Sequence, residues 1–246
     1  MNASSKVSAP HLRVSNNAQE SAEECAKFIL ESLSEALKQA NRATIAISGG
    51  TTPKLLFAAM ANAHIDWSNI HFFWVDERCV APTDNQSNFK LANETLLLPA
   101  KIPGQNIHRI FGEMPPDTGA QRYVAELQQF FSLEDGQMPA FDILHRGMGP
   151  DAHTASLFPG DPIIQNRTEV AAHVWVEKLR MHRITLLPGV LLAAKCTVLQ
   201  VSGLEKAEAF HHVLRDPEDL LKYPCQIASR DSKAYWFLDK LATAKL

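Results

Sequence analysis

Short apolar segments alternate with amphipathic ones along most of the chain, and this alternation constrains the fold more than any other feature. The apolar segments predict strands over residues 43–47, 71–75, 141–144, 170–176, 183–187 and 197–202. Apolar residues at helical spacing, with caps and proline stops, predict helices over residues 18–40, 53–61, 88–98, 118–131, 188–194, 204–214 and 234–242. Strands that alternate with helices predict an α/β fold, with a mostly parallel sheet that carries helices on both faces.

The length of the chain limits the number of such sheets, since 246 residues suit one large α/β domain or two small ones. We expect a single domain over residues 1–246, in which residues 1–12 form a loose N-terminal arm. The polar start of the chain predicts no signal peptide. Charges such as Lys195 interrupt the longest apolar stretches, which predicts no membrane span.

Charge and cysteine content narrow the partners and the compartment. The formal net charge is -3 and no basic block is present, which argues against nucleic acid as a partner. The four cysteines form neither a CxxC pair nor a metal-binding spacing with histidine. We therefore expect free thiols in a reducing cytoplasmic setting, with no metal and no membrane association. The oligomeric state stays open between a monomer and a small homo-oligomer.

Glycines and hydroxyl side chains follow the strand predicted over residues 43–47. Ser48, Gly49, Gly50 and Thr51 lead directly into a helix that has Pro53 in its first turn. Glycine lets the backbone approach a ligand closely, and a helix N-terminus favours an anion. The loop predicts a phosphate cradle, although a simple tight turn explains the same string.

Charged residues follow the aromatic strand predicted over residues 71–75. Asp76 could orient a water or a hydroxyl, and Arg78 could hold an anion. Ligands of parallel α/β sheets bind beyond the carboxyl ends of the strands, which is where these side chains fall. A solvated surface ion pair is the competing interpretation.

A turn rich in glycine follows the strand predicted over residues 141–144 and presents an acid and a histidine. Gly147, Gly149 and Pro150 predict a sharp turn just before Asp151 and His153. Histidine titrates near neutral pH and can take a proton from water, while a nearby carboxylate would hold its tautomer. The turn predicts a general base, with its backbone N–H groups as possible oxyanion donors.

Two further cations follow or open predicted strands. Arg183 opens the strand over residues 183–187, and Lys206 lies where the strand over residues 197–202 turns into a helix. Either could balance the charge of a phosphate. A structural ion pair for Arg183 and a solvent-facing side chain for Lys206 are the alternatives.

The order of these segments resembles the 6-phosphogluconolactonase family. The resemblance rests on an SGGTTP loop, a WVDER strand end, a GMGPDAHTASLFPG segment, an RITL strand and a GLEKA turn. It covers nearly the whole chain, and the GMGPDAHTASLFPG segment is its most specific part. The family is related in fold to the glucosamine-6-phosphate deaminases, which implies a Rossmann-like sheet that binds sugar phosphates.

The resemblance implies hydrolysis of 6-phosphoglucono-δ-lactone to 6-phosphogluconate, in the oxidative branch of the pentose phosphate pathway, without metal or organic cofactor. Carried over by position, His153 would be the base that activates water, and Asp76 would orient the water or the sugar. The phosphate would rest on residues 48–51. Its counter-charges would be Arg183 and Lys206, with Arg78 as a further group that holds substrate.

The chain departs from the family pattern at two places beside the catalytic segment. Ala152 stands where the family usually has glycine between the acid and the histidine. If that position needs a positive φ, alanine costs about 1–2 kcal/mol and could shift His153. His145 and Arg146 stand where the family generally has apolar residues, so either the strand end is exposed or Arg146 has a partner.

Three functions remain open at this point. The first is the lactonase. The second is an amino-sugar-phosphate deaminase and isomerase, which the stretch after His153 disfavours because residues 154–158 contain no acid. The third is a non-catalytic sugar-phosphate binder, which Ala152 and Arg146 favour and the presence of Asp76, Asp151 and His153 disfavours.

Overall fold

A seven-stranded parallel sheet forms the centre of the molecule. The computed structural model describes residues 9–246, and its sheet has the order β1-β10-β9-β6-β2-β3-β5. These strands are β1 (His11–Ser15), β2 (Ala43–Ile47), β3 (Ile70–Trp74), β5 (Ile107–His108), β6 (Ile143–Arg146), β9 (Thr197–Val201) and β10 (Ala234–Asp239). All of their pairings are parallel, which confirms the predicted sheet.

A second sheet holds three short antiparallel strands in the order β4-β8-β7. They are β4 (Asp76–Arg78), β7 (Ala171–Val176) and β8 (Met181–Leu186). A single turn of 3₁₀-helix over Glu177–Leu179 joins β7 to β8. A connection this short can only join antiparallel neighbours, because parallel strands need a long crossover. The predicted strands over 170–176 and 183–187 therefore exist but lie outside the parallel sheet.

Helices cover both faces of the large sheet. They are α1 (Ala18–Gln39), α2 (Thr51–Ala61), α3 (Asn88–Ala92, continued by a π-helix over Asn93–Leu97), α4 (Pro116–Phe131), α5 (Pro188–Ala193) and α6 (Ala207–Arg215). Val198 packs in one core with Ile29 of α1, whereas its neighbour Leu199 packs in another with Phe210 of α6. Since successive side chains of a strand point to opposite faces, α1 and α6 lie on opposite sides.

Helix starts agree with the capping residues in the sequence. The Asn17 side chain accepts from the Glu20 N–H at 2.9 Å and begins α1. Ser87 caps α3 by accepting from the Lys90 N–H at 3.1 Å, as predicted. Within the described residues, no helix combines the length and the apolar character that crossing a bilayer requires.

The predicted helix over residues 234–242 is wrong, because the chain forms β10 there. Trp236, Phe237 and Leu238 are fully buried, with β1 on one side and β9 on the other. A central strand covered on both faces reads as a continuous apolar run, which helical periodicity alone does not separate from a buried helix.

The predicted loose arm over residues 1–12 needs correction at its end. Residues 1–8 lie outside the described residues, so the prediction stays untested there. His11 and Leu12 belong to β1 and pair with Tyr235 and Trp236 of β10. The ring of His11 stacks on that of Tyr235 at 4.4 Å, so edge pairing and aromatic contact order this segment.

Candidate active site

A polar cleft of about 170 Å³ opens at the carboxyl ends of the parallel strands. The predicted residues that line it are Ser48, Gly49, Gly50, Thr51, Asp76, Arg78, His153, Arg183 and Lys206. Asp151 is the one predicted residue outside the lining, and it lies directly behind the His153 ring. The structure thus brings the predicted residues together, as expected for side chains that follow neighbouring parallel strands.

The loop between β2 and α2 forms one wall of the cleft. Gly50 caps α2 with a φ of +119°, a conformation that L side chains rarely adopt. A Cβ at Gly49 would lie 1.9 Å from the Asn88 side-chain oxygen, so only glycine fits there. The first turn of α2 contains no acidic residue. The wall therefore offers backbone N–H groups and the positive end of a helix dipole to an anion.

Asp76 lies where the chain passes from the parallel sheet into the antiparallel one. The residue is 5% exposed, and its carboxylate accepts from the Ser156 hydroxyl at 2.7 Å. Ser48 and Asn88 approach its other oxygen at 3.4 and 3.3 Å. These donors hold the carboxylate in one orientation beside the cleft.

The neighbouring Glu77 has a structural role. Its buried carboxylate accepts from the N–H groups of Asn88 and Phe89, both at 2.7 Å, and from the Ser87 hydroxyl at 3.0 Å. Burial raises the pKa of Glu77, and these donors oppose the rise. The carboxylate fixes the start of α3 and thereby places Asn88 against Asp76 and Gly49.

His153 and Asp151 form a hydrogen-bonded pair at the opposite wall. His153 Nδ1 lies 2.5 Å from Asp151 Oδ1, and Lys178 is bonded to the other carboxylate oxygen. Burial alone would raise the pKa of Asp151, but the hydrogen bonds from His153 and Lys178 hold it well below its usual range. An ionised carboxylate only accepts, so Nδ1 carries the proton of the neutral ring, and in that form the lone pair lies on Nε2. The ring stacks on Phe158 at 4.3 Å, which fixes its plane.

The turn that carries His153 is tightly constrained. The Gly149 N–H donates to the His153 carbonyl at 2.8 Å, and the Ala152 N–H donates to the Gly149 carbonyl at 3.0 Å. A Cβ at Gly149 would lie 2.0 Å from His153 Nδ1. Ala152 is buried with a φ of +64°, the left-handed conformation that costs a non-glycine residue about 1–2 kcal/mol.

Three cations surround the space between the two walls. Arg183 on β8 lies opposite Arg78 on β4, and its Nη1 is 3.9 Å from the Asp76 carboxylate. Arg78 Nη1 donates to the Gln86 carbonyl at 2.6 Å, and Lys206 Nζ donates to the Met148 carbonyl at 2.9 Å. Burial lowers the pKa of both Arg183 and Lys206, and the nearby carboxylates only partly offset it. An anion in the cleft would supply the missing counter-charge.

His145 and Arg146, which stand where the family generally has apolar residues, are both fully buried. Neither ring nitrogen of His145 has a well-aligned hydrogen-bond partner among residues 9–246, and burial lowers its pKa to about 4, although the neighbouring Gln200 side chain opposes the fall. Arg146 has partners on the opposite face of β6: Nη1 donates to the Thr154 hydroxyl at 3.0 Å, and Nη2 donates to the Ile227 carbonyl. The strand end is therefore covered, and Arg146 is held by neutral acceptors.

Sequence reasoning missed three residues that belong to this neighbourhood. Lys178, bonded to Asp151, comes from the β7–β8 connection, and no local motif marks it. Asn88 and Gln200 line the cleft. The Ser-Asn pair at the start of α3 could have signalled Asn88, and a glutamine amid the apolar residues of β9 could have signalled Gln200.

Neither a metal site nor a disulfide was found in the described chain. Within residues 9–246, no three His, Cys, Asp or Glu side chains cluster as metal ligands would. The four cysteines are free.

Comparisons with known proteins agree with this geometry. The family model described as glucosamine-6-phosphate isomerases/6-phosphogluconolactonase matches residues 16–236. A 6-phosphogluconolactonase of a Nostoc species is 38% identical over 220 residues, which are 89% of this chain and 91% of that protein. The crystal structure of a protein named devB is 34% identical with a TM-score of 0.85, and the match covers 96% of this chain and 99% of that one.

A solved monomeric glucosamine-6-phosphate deaminase shares the fold at 16% identity. Its TM-score is 0.81, and the match covers 96% of this chain and all of that one, 100%. The predicted kinship in fold with the deaminases is therefore confirmed. The chain belongs to the family of glucosamine-6-phosphate isomerases and 6-phosphogluconolactonases.

Proposed function

We propose that this protein hydrolyses 6-phosphoglucono-δ-lactone to 6-phosphogluconate, with water activated by His153. One observation carries the proposal: the His153 ring lines the cleft while Asp151 holds its Nδ1 at 2.5 Å. That arrangement leaves Nε2 as a base opposite an anion cradle. The family to which the chain belongs supports the choice of substrate.

Substrate binding is assigned to the cradle and the cations. The phosphate rests on the backbone N–H groups of residues 48–51, at the N-terminus of α2. Arg183 and Lys206 balance its charge, and Arg78 holds the substrate from the β4 side. Asp76, fixed by Ser156 and Asn88, accepts a hydrogen bond from the water or a sugar hydroxyl.

The chemistry follows from the His153–Asp151 pair. Nε2 takes a proton from water as the water oxygen attacks the lactone carbonyl, and Asp151 stabilises the imidazolium that forms. The C1–O5 bond then breaks, and the imidazolium returns its proton to O5. The N–H groups of Met148 and Asp151 make no hydrogen bond to the described residues, so they are free to stabilise the oxyanion.

The setting is part of the same proposal. We propose a cytoplasmic enzyme that acts on a small phosphosugar lactone, as a monomer or small homo-oligomer, without a nucleic acid or membrane partner. Four free thiols and a net charge of -3 support this setting. The absence of a metal or organic cofactor stays a prediction.

A direct assay tests the proposal. Freshly prepared 6-phosphogluconolactone is supplied to the purified protein, and acid release is followed above the spontaneous rate. Titration calorimetry with 6-phosphogluconate measures binding separately. Turnover together with binding is the expected result. Binding without turnover would identify a non-catalytic sugar-phosphate binder and defeat the lactonase assignment.

A further inference from the structure

Arg146 is an unusual residue to find at the end of a central strand. Its side chain is fully buried on β6, and burial lowers its pKa. No carboxylate of residues 9–246 forms an ion pair with it, and the charges of Cys225 and Asp231 oppose the effect of burial only from a distance. It also does not line the cleft. A cation buried in this way is unfavourable unless its hydrogen bonds are satisfied. Nε of Arg146 has no hydrogen-bond partner among residues 9–246, so the two Nη groups make all of its hydrogen bonds and indicate what it does.

The guanidinium of Arg146 bridges two segments that are far apart in the chain. Nη1 donates to Thr154 Oγ1 at 3.0 Å, and Nη2 donates to the Ile227 carbonyl. Thr154 Oγ1 in turn donates to the Gly147 carbonyl at 2.8 Å. Both ends of the turn that carries His153 are thus tied together through one hydroxyl and one guanidinium.

A second tie lies on the other side of His153. The Cys225 N–H donates to the Ala152 carbonyl at 2.9 Å. Residues 152 and 154 are therefore both anchored to the 224–227 segment, the first directly and the second through Arg146. Between them, Ala152 is held at a φ of +64°, which alanine avoids when it is free to relax.

We propose that Arg146 is a positioning residue, which keeps the strained turn at Ala152 from relaxing and so holds His153 against Asp151. Without the guanidinium, the turn relaxes towards a negative φ at residue 152, and the imidazole leaves its place at the cleft. Glycine at residue 152 has no strain to release, so it makes the turn independent of Arg146. Arg146 thus compensates for the strain at Ala152, so the two departures from the family pattern depend on each other. The proposal rests on the role proposed for His153.

A double-mutant cycle tests this dependence. The variants are Arg146→Met, Ala152→Gly and the two combined, with methionine chosen because it fills the space of the lost side chain. In the natural background, Arg146→Met lowers kcat about 10- to 100-fold with little change in KM, since the base is displaced while the cradle is intact. In the Ala152→Gly background, the same change lowers kcat less than about threefold.

A spectroscopic readout separates this proposal from the lactonase assignment. The proton between His153 Nδ1 and Asp151 gives a low-field NMR resonance that does not depend on turnover. We expect Arg146→Met to abolish it and the double variant to restore it. If the natural protein shows the resonance but no lactonase activity, the proposed function fails, and the cycle is then read from the resonance alone.

Two further variants control for stability and folding. Arg230→Met removes a guanidinium that donates to carbonyls at the end of α6. It should lower Tm and leave kcat and the resonance unchanged. If Arg146→Met does not fold, Thr154→Val removes the hydroxyl that accepts from Arg146 instead. It should lower kcat when residue 152 is alanine and much less when residue 152 is glycine. Two results would overturn the proposal. One is that kcat falls by the same factor whether residue 152 is alanine or glycine, and the other is that the resonance is unchanged when the bond between Arg146 and Thr154 is lost.

Discussion

The two loops that face each other across the cleft hold their sharp turns in different ways. The cradle loop relies on glycine, with Gly50 at a φ of +119° and Gly49 packed against Asn88. The His153 turn places Ala152 at a φ of +64° and anchors it from behind through Arg146. A left-handed position can therefore be supported by tertiary contacts as well as by glycine, and the turn then depends on residues distant in the chain.

Among substitutions in the two loops, the largest effect is expected from Gly149→Ala. The added Cβ would meet His153 Nδ1 at 2.0 Å and Asp151 Oδ1 at 2.7 Å, so the pair must separate. We expect kcat to fall about 100-fold or more, because a base displaced by about 1 Å loses its geometry. The matched control is Gly104→Ala, where a Cβ meets nothing within 4 Å. Steady-state kinetics that leave kcat within twofold would show that the turn tolerates the shift.

Gly49→Ala should affect binding more than chemistry, in contrast to Gly149→Ala. The Cβ would meet the Asn88 oxygen at 1.9 Å and distort the cradle, while the His153–Asp151 pair is untouched. We expect KM to rise about 10-fold, with a smaller change in kcat. A loss confined to kcat would contradict the assignment of this loop to the phosphate.

The sequence predicted the local parts of the site better than the distant ones. Residues 48–51 and the pair Asp151 and His153 were identifiable because glycine, proline and cap residues carry strict local demands. Lys178 was not, since it reaches Asp151 across 27 residues of chain. The positive φ at Ala152 and the acceptors of Arg146 depend on tertiary contacts, so the sequence could raise those questions without answering them.

The fold was predicted as far as hydrophobic patterns allow. β2 matches its predicted bounds, and α1 ends within one residue of them. β10 was mistaken for a helix because a doubly buried strand has no period of two to read. The pairing of β8 with β4 and β7 in a separate antiparallel sheet depends on long-range contacts that local patterns do not encode.

A smaller effect, on stability rather than catalysis, is expected from His145→Leu. Burial lowers the pKa of His145 to about 4 from a usual value of 6.5. The folded state therefore binds fewer protons, and the stability held above pH 6.5 is lost as the pH falls towards 4. Leucine does not titrate, so the variant does not lose this stability at low pH. The free energy of unfolding of the variant minus that of the natural protein should therefore be about 2 kcal/mol higher at pH 5 than at pH 8. Urea unfolding at both pH values measures this difference. An equal change in the free energy of unfolding at pH 5 and pH 8 would contradict the lowered pKa of His145.

The smallest effect is expected from Ala152→Gly alone. Glycine removes about 1–2 kcal/mol of strain but adds about 0.4–1 kcal/mol of unfolded-state entropy, so the net gain in stability is at most about 1.6 kcal/mol. Activity should stay within about twofold, because Arg146 already holds the turn. Lys101→Gly, at a φ of 55° on an exposed loop, is the control. A clear loss of stability by thermal unfolding would show that Ala152 is not strained.

The most direct test of the account is the lactonase rate of His153→Ala, measured together with its affinity for 6-phosphogluconate. We expect kcat to fall about 100- to 10,000-fold, the range that general bases contribute, while the product still binds within a few-fold of its natural affinity. That result would mean that the imidazole takes part in catalysis and that other residues bind the phosphate. A variant that keeps the full rate would contradict the account, because another group would then be the base.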